Sequence, residues 1–182
     1  MPLPNLPRER LDLSRILIYG VTGSGKTTLA TQLSQKLGLP FRSVDDLAWE
    51  PGWKMKSEEE QRKLFTELCS QETWILDSAY GIWLDVAESR ATAIIALDYP
   101  RWFSLGRLAI RTCRRAVDKK PVCNGNVETW RQVFSRDSII SWHFRSYGSK
   151  RRRIYEWVEA ERPVLLLKSP RETAKWLERL KP

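Results

Sequence analysis

Gly20, Gly25, Lys26 and Thr27 stand in the spacing G-x-x-x-x-G-K-[ST], inside the stretch Ile16-Leu-Ile-Tyr-Gly-Val-Thr-Gly-Ser-Gly-Lys-Thr-Thr28. That spacing suits a loop that holds phosphate. Glycines at 20, 23 and 25 admit turn conformations closed to other residues, so successive N–H groups can point into one concavity. The concavity opens on a helix N-terminus, whose unpaired N–H groups and positive dipole end favour an anion. Lys26 then reaches the β- and γ-phosphates of a nucleoside triphosphate, and the Thr27 hydroxyl sits on Mg²⁺. Gly20, Gly23, Ser24, Gly25, Lys26, Thr27 and Thr28 are the nucleotide-binding residues this predicts. The competing reading, an ordinary glycine-rich turn, gives no reason for Lys-Thr between an apolar strand and a helix-compatible run.

Mg²⁺ needs an acid, and two strand ends offer one: Asp77 after Trp74-Ile-Leu, and Asp98 after Ala93-Ile-Ile-Ala-Leu. Asp77 is preferred, since its strand would adjoin the one entering the loop. Asp45, after Phe41–Val44, is placed to orient an acceptor hydroxyl or take its proton. An Asx turn in which Asp45 or Asp46 bonds its own backbone is an equal reading. Trp49 and Trp53 either wall an acceptor pocket or join the core. His143, the only histidine, has no role that phosphoryl transfer requires.

Arginines supply the other half of the chemistry. On a helix over 101–117, Trp102, Leu105, Ala109, Thr112 and Ala116 share one side, and Arg107, Arg111, Arg114 and Arg115 cluster opposite. Beside a triphosphate such a stripe clamps the transferring group with charge-assisted bonds; elsewhere it is a solvated face. Arg131, Arg136 and Arg145 follow in a segment whose Asn124-Gly125-Asn126 turn could hinge a lid. Lys150-Arg-Arg-Arg153 reads as an exposed helix face.

The elements that must position these residues alternate. Strands are predicted at 15–20, 41–44, 74–77, 93–98 and 164–167. Helices are predicted over 26–37, ended by Gly38 and Pro40, over about 57–70 behind a Ser57/Glu60 capping box, and after Pro100. A last helix follows Ser169-Pro-Arg-Glu172, with Ala174, Leu177 and Leu180 as its buried stripe. Alternation of this kind argues for an α/β chain, a parallel sheet covered on both faces, with ligands beyond the carboxyl ends of the strands. All the candidate acids and the phosphate loop fall there.

The totals agree with one domain spanning 1–182, with 1–13 as an extended lead-in. No apolar run approaches the ~20 residues of a membrane span. The N-terminus lacks a signal-peptide core, and three cysteines without C-x-x-C spacing read as thiols in a reducing cytoplasm. The net charge is +9, unevenly spread. Residues 101–153 carry fourteen Lys/Arg against three acids, a local +11, and the rest of the chain sums to −2.

The order Gly-x-x-Gly-Ser-Gly-Lys-Thr-Thr, Asp45-x-x-x-Trp49-x-Pro-Gly-Trp53, Trp74-Ile-Leu-Asp77-x-x-Tyr80 and Leu97-Asp-Tyr-Pro-Arg101 resembles the adenylate-kinase-related proteins. More narrowly it is similar to the subgroup known as DNA topology modulation proteins, as is the closing Leu-Lys-Ser-Pro-Arg-Glu. The resemblance covers about 14–180. It implies a three-layer P-loop NTPase fold with a five-stranded sheet of order 2-3-1-4-5, ATP with Mg²⁺, and an arginine-bearing lid over about 107–150. Arg107 and Arg111 match the pair at the lid entrance, Asp77 the acid after the third strand, and Ser169–Arg171 the loop bordering adenine. Ser78-Ala-Tyr-Gly81 departs from the G-F-P-R that supplies an AMP-binding arginine, so AMP is not the implied acceptor.

The sequence therefore predicts an ATP- and Mg²⁺-dependent phosphotransferase acting on a nucleotide or other small hydroxyl-bearing metabolite, as a cytoplasmic monomer or homodimer. Its catalytic residues are Lys26, Arg107, Arg111, Arg136 and Asp45; Thr27 and Asp77 hold the metal; Arg171 joins the nucleotide set. Two rivals stand beside it. One is an ATP-binding regulator that uses the +11 segment on nucleic acid. The other is a kinase fold kept as a nucleotide sensor.

Overall fold

The computed structural model describes residues 11–119, 121–127, 129–130 and 138–180. Five strands form one parallel sheet: β1 (Arg15–Gly20), β2 (Phe41–Arg42), β5 (Trp74–Leu76), β6 (Ala93–Leu97) and β7 (Val164–Leu167). Their spatial order is β2-β5-β1-β6-β7, which is 2-3-1-4-5 when only these five are counted. Ile16 lies between Ile75 and Ala93, and Ile94 pairs with Val164. A central strand buried on both sides needs apolar residues throughout, and Ile16, Leu17 and Ile18 are wholly buried.

The two faces carry separate halves of the core. Ile16, Ile18, Ile75 and Ile95 pack on Leu29, Ala30 and Leu33 of α1 (Lys26–Leu37) and on Trp176 of the last helix. Leu17, Tyr19, Leu76 and Ala96 pack on α2 (Val44–Ala48), α3 (Glu58–Cys69), α4 (Leu84–Arg90) and α6 (Ile139–Glu159). Phe65 stacks on Trp83 with ring centroids 3.8 Å apart, and Trp157 meets Tyr19 edge-on at 4.7 Å. Fully burying one such aromatic stabilises the fold by roughly 1.5–3 kcal/mol.

The local signals act as their chemistry requires. Gly38 ends α1 at φ 68°, and Ser57 with Glu60 closes a reciprocal capping box on α3. The last helix, α7 (Pro170–Arg179), is capped by Ser169, but Glu172 returns its bond to the Lys168 N–H rather than to Ser169. Its buried anchor is Trp176; Ala174, predicted inside, is exposed. The strand expected over 41–44 is shorter: β2 stops at Arg42, because Ser43 caps the N–H of Asp46 and Val44–Ala48 coils into α2. A small hairpin follows, β3 (Trp49–Glu50) against β4 (Lys54–Met55). Among the described residues no helix is long and apolar enough to cross a membrane, and none of the three cysteines forms a disulfide.

Candidate active site

The phosphate loop runs from the end of β1 into α1. Gly20, Gly23 and Gly25 all have positive φ, 156°, 85° and 98°. At Gly23 the need is steric as well as conformational, because a Cβ there would run into the Ser104 carbonyl oxygen and Leu108. Both belong to α5 (Arg101–Asp118), so this helix lies directly on the loop. That contact sets its rotation. The buried stripe is Ser104, Leu108, Thr112 and Ala116, and Trp102, predicted inward, is 74% exposed. Apolarity alone misplaces the stripe, since close approach to loop backbone favours Ser104 over an indole.

The corrected rotation moves Arg107 and Arg111 from the far side of α5 to the rim of its buried face. A Cβ at Gly25 would lie 3.3 Å from Arg107 Nη1, so this guanidinium covers the loop. Arg111 is partly buried and close enough to Lys26 to repel it. Arg114 is exposed on the outer side. Arg136 and Arg131 lie outside the described residues, and Arg145 is exposed on α6.

Lys26 donates to the Val21 carbonyl at 3.1 Å, folded over its own loop. Burial lowers its pKa, with Asp77 and Asp45 opposing that shift and Arg111 adding to it. The Thr27 hydroxyl donates to Asp77 Oδ2 at 2.5 Å, and the Val44 N–H donates to Asp77 Oδ1 at 3.0 Å. Asp77 is 5% exposed, and burial raises its pKa against those two hydrogen bonds. Asp98, the other strand-end acid, is taken up elsewhere: Arg151 pairs with it at 3.0 Å and the Tyr155 hydroxyl donates to it at 2.8 Å. Ser24 Oγ is buried, with no hydrogen-bond partner among the described residues. Positive-φ glycines, an inward ammonium and an unserved buried hydroxyl make a cradle that fits a polyphosphate. Thr27 and Asp77 supply two hard oxygens, which fits Mg²⁺ completed by phosphate and water.

Asp45 sits in the first turn of α2, exposed, and not in an Asx turn: Ser43 serves the backbone there, accepting from the Asp46 N–H. Its carboxylate is held by the Tyr80 hydroxyl, which donates to Oδ1 at 2.6 Å and accepts from Trp49 Nε1–H at 3.3 Å. Burial, and then Asp45, push the Tyr80 pKa up, so Tyr80 remains a donor. Trp49 and Trp53 meet edge-on at 5.8 Å on the hairpin, beside this pair.

The Asn124-Gly-Asn126 turn is not a free hinge. Asn126 is 3% exposed; its Oδ1 accepts from the Trp53 N–H at 2.6 Å and its Nδ2 donates to the Glu50 carbonyl at 2.9 Å. Trp53 Nε1–H donates to the Val127 carbonyl at 3.2 Å, and Asn124 Nδ2 donates to the Trp49 carbonyl at 3.2 Å. The turn therefore fastens the basic segment to the β3–β4 hairpin. Position along the chain suggested a hinge; side-chain amides matched to hairpin backbone groups made a fastening.

Two further residues near the loop escaped the sequence reading. His143 is fully buried, and its Nδ1–H donates to the Thr22 carbonyl at 3.0 Å. Burial lowers its pKa, against the Thr22 bond that opposes this. Lys150, expected on an exposed face, turns inward toward Tyr19, Lys26 and Asp45, while Arg151, Arg152 and Arg153 are exposed. The signal was present: His143, Ser146, Lys150, Ile154 and Trp157 recur at helical spacing, but three polar members hide it from an apolarity search. Arg171 is exposed at the start of α7, with no hydrogen bond or ion pair to another described residue.

The fold recurs in solved small-molecule kinases. A shikimate kinase from Acinetobacter baumannii in complex with shikimate superposes with TM-score 0.57 at 15% identity, covering 95% of this chain and 94% of that one. A gluconokinase from Sinorhizobium meliloti 1021 gives 0.55 at 18% identity, covering 93% and 94%. Shikimate kinase from Aquifex aeolicus vf5 gives 0.52 at 18%, covering 90% and 91%. No curated protein matches the sequence. The AAA domain model matches residues 16–179, from the first buried residue of β1 to the end of α7, and the chain belongs to that family, with the three-layer α/β fold of P-loop kinases.

Proposed function

We propose that this protein is an ATP- and Mg²⁺-dependent phosphotransferase acting on a small hydroxyl-bearing acceptor. The observation that carries the reading is the set of charges gathered at the loop: the Arg107 guanidinium covers Gly25, and Asp77, Asp45 and Arg111 all act on Lys26. Lys26 and the loop amides hold the β- and γ-phosphates, and Arg107, Arg111 and Arg136 neutralise charge as it spreads over the transferring group. Thr27 and Asp77 would hold Mg²⁺, which supplies Lewis-acid screening of the phosphate oxygens. Asp45, oriented by Tyr80, takes the proton of the acceptor hydroxyl as its oxygen bonds to the γ-phosphorus. The bond from that phosphorus to the bridging oxygen breaks, and its electron pair leaves on ADP. Arg171 borders the base. Within this class, the run of motifs from Gly20 to Arg101 supports kinship with the adenylate-kinase-related DNA topology modulation subgroup.

The rival nucleic-acid reading rests on the +11 segment, yet much of that charge has work inside the molecule. Arg107 and Arg111 turn to the loop, Arg151 pairs with Asp98, and Arg153 pairs with Glu156 at 3.5 Å. The test is a metabolite panel with γ-labelled ATP and Mg²⁺, run on wild type and Lys26→Ala. Label transfer to a hydroxyl compound, lost by at least about a hundredfold in the variant, is expected. No transfer to any compound, or a Lys26→Ala protein with the wild-type rate, overturns the proposal.

A further inference from the structure

Lys150 lies midway along α6 and is half-buried. Among the described residues its one direct partner is the face of Tyr19, with Nζ 5.3 Å from the ring centroid. Tyr19 is the last side chain of β1 before the loop and packs with Val44, Phe65, Trp83 and Trp157. Lys150 therefore reaches the carboxyl end of the sheet from the face opposite α1, the face that carries Asp45 and Tyr80.

Three charged or titratable groups face this ammonium from the elements around it: Tyr19 of β1, Lys26 of α1 and Asp45 of α2. Tyr19 itself is pushed up to about 12 by burial, with Arg153, Glu88 and Glu156 acting on it in turn. Lys26 repels Lys150, Asp45 attracts it, and no described carboxylate lies within ion-pair distance. An ammonium held partly out of water, beside a like charge and without an ion pair, moves toward neutrality. Burial first, then Lys26, bring Lys150 down to about 7. An anion arriving beside it would restore the proton and satisfy the charge.

We propose that Lys150 binds a carboxylate or phosphate group of the phosphoryl acceptor, so that the substrates are small hydroxyl-bearing acids rather than neutral sugars or nucleosides. This rests on the phosphotransfer reading above. The triphosphate has its own cations, Lys26, Arg107 and Arg111, gathered on the α1 and α5 side. Lys150 and Asp45 are carried by α6 and α2, which pack on the other face of the sheet, so that one acceptor can meet the carboxylate through its hydroxyl and the ammonium through its anionic group. Trp49 and Tyr80 stand beside Asp45 as an aromatic wall.

The experiment pairs acceptors that differ only in charge: gluconate with glucitol, shikimate with its methyl ester, and nucleoside monophosphates with nucleosides. Label transfer from ATP is followed for wild type, Lys150→Met and Lys150→Arg. The expected result is a KM for the anionic acceptor raised about tenfold or more in Lys150→Met, with partial rescue by Lys150→Arg and the KM for ATP within twofold. A Lys150→Met effect on ATP instead, or equally on charged and neutral acceptors, overturns the inference while leaving phosphotransfer intact. A second measurement needs no turnover. The ¹³Cε resonance of Lys150, identified by its loss in Lys150→Met, is titrated with pH in full-length protein holding Mg²⁺ and a non-hydrolysable ATP analogue. A midpoint raised by at least about one unit by gluconate, shikimate or a nucleoside monophosphate supports the inference even if no label moves. A midpoint unmoved by every anion in the panel refutes it.

Discussion

Gly23→Ala isolates the contact on which the nucleotide side of the site depends. Gly23 has φ 85°, and an L-residue there costs about 1–2 kcal/mol from backbone conformation alone. The new methyl is also driven into the Ser104 carbonyl and meets Leu108 Cβ at 3.0 Å. A helix carbonyl cannot rotate aside, so α5 must shift as a body or the loop must open, an overpacking penalty of about 1–3 kcal/mol. Gly38→Ala is the control: its φ is 68°, but nothing lies within 4 Å of the added Cβ, so only the backbone penalty applies. Urea denaturation should therefore show Gly23→Ala less stable than Gly38→Ala by about 1–3 kcal/mol. Because Arg107 and Arg111 ride on α5, calorimetric titration with MgATP should also show at least about a tenfold affinity loss in Gly23→Ala alone. Equal stability losses and equal ATP affinities in the two variants would refute the claim that α5 rests on the loop through Gly23.

Asn126→Ala strips the fastening between the basic segment and the hairpin, leaving the Trp53 N–H and the Glu50 carbonyl without their partner. Each lost buried bond costs about 1–3 kcal/mol locally, so hydrogen exchange at the Trp53 and Val122 amides should quicken at least about tenfold while Ile75 and Ile95 are unchanged. Unchanged exchange at Trp53 would remove the fastening from the account. The pH dependence of stability follows from Lys150. Its folded pKa, about 7, is below the unfolded value of 10.5, so between those values the unfolded chain holds the extra proton. Stability from this group therefore rises with pH across that window and is lowest below it. Lys26 is shifted the same way, so the informative quantity is the difference between wild type and Lys150→Met. Urea midpoints at pH 7 and pH 9.5 should show wild type gaining on the variant; parallel curves would mean that Lys150 is solvated.

The geometry of the phosphate loop was legible because it is local. The Gly20–Thr27 spacing fixes its own backbone, and the strand and helix on either side follow from apolar runs of the right length. Alternating elements and the acids at strand ends led to the sheet order 2-3-1-4-5 once the resemblance was added, since a parallel sheet leaves few ways to wind. The Ser57/Glu60 and Ser169 caps were readable for the same reason, being contacts within one turn.

What needed the tertiary structure was everything set by contact between distant segments. The face α5 buries is chosen by the backbone of Gly23, some eighty residues earlier, and that choice brings Arg107 and Arg111 to the rim of the loop. Asp77 and Asp98 read alike in one dimension; Thr27 and Val44 donate to the first, while Arg151 and Tyr155 occupy the second. Lys150 looked like a surface residue because polarity in a sequence implies water, whereas here it turns toward Tyr19 and the space beside Asp45, and His143, given no role, bonds the loop at Thr22. Sequence determines which side chains prefer water to oil. Only the folded chain decides whether a polar side chain meets water, backbone or a place for a ligand, because that depends on residues it does not neighbour.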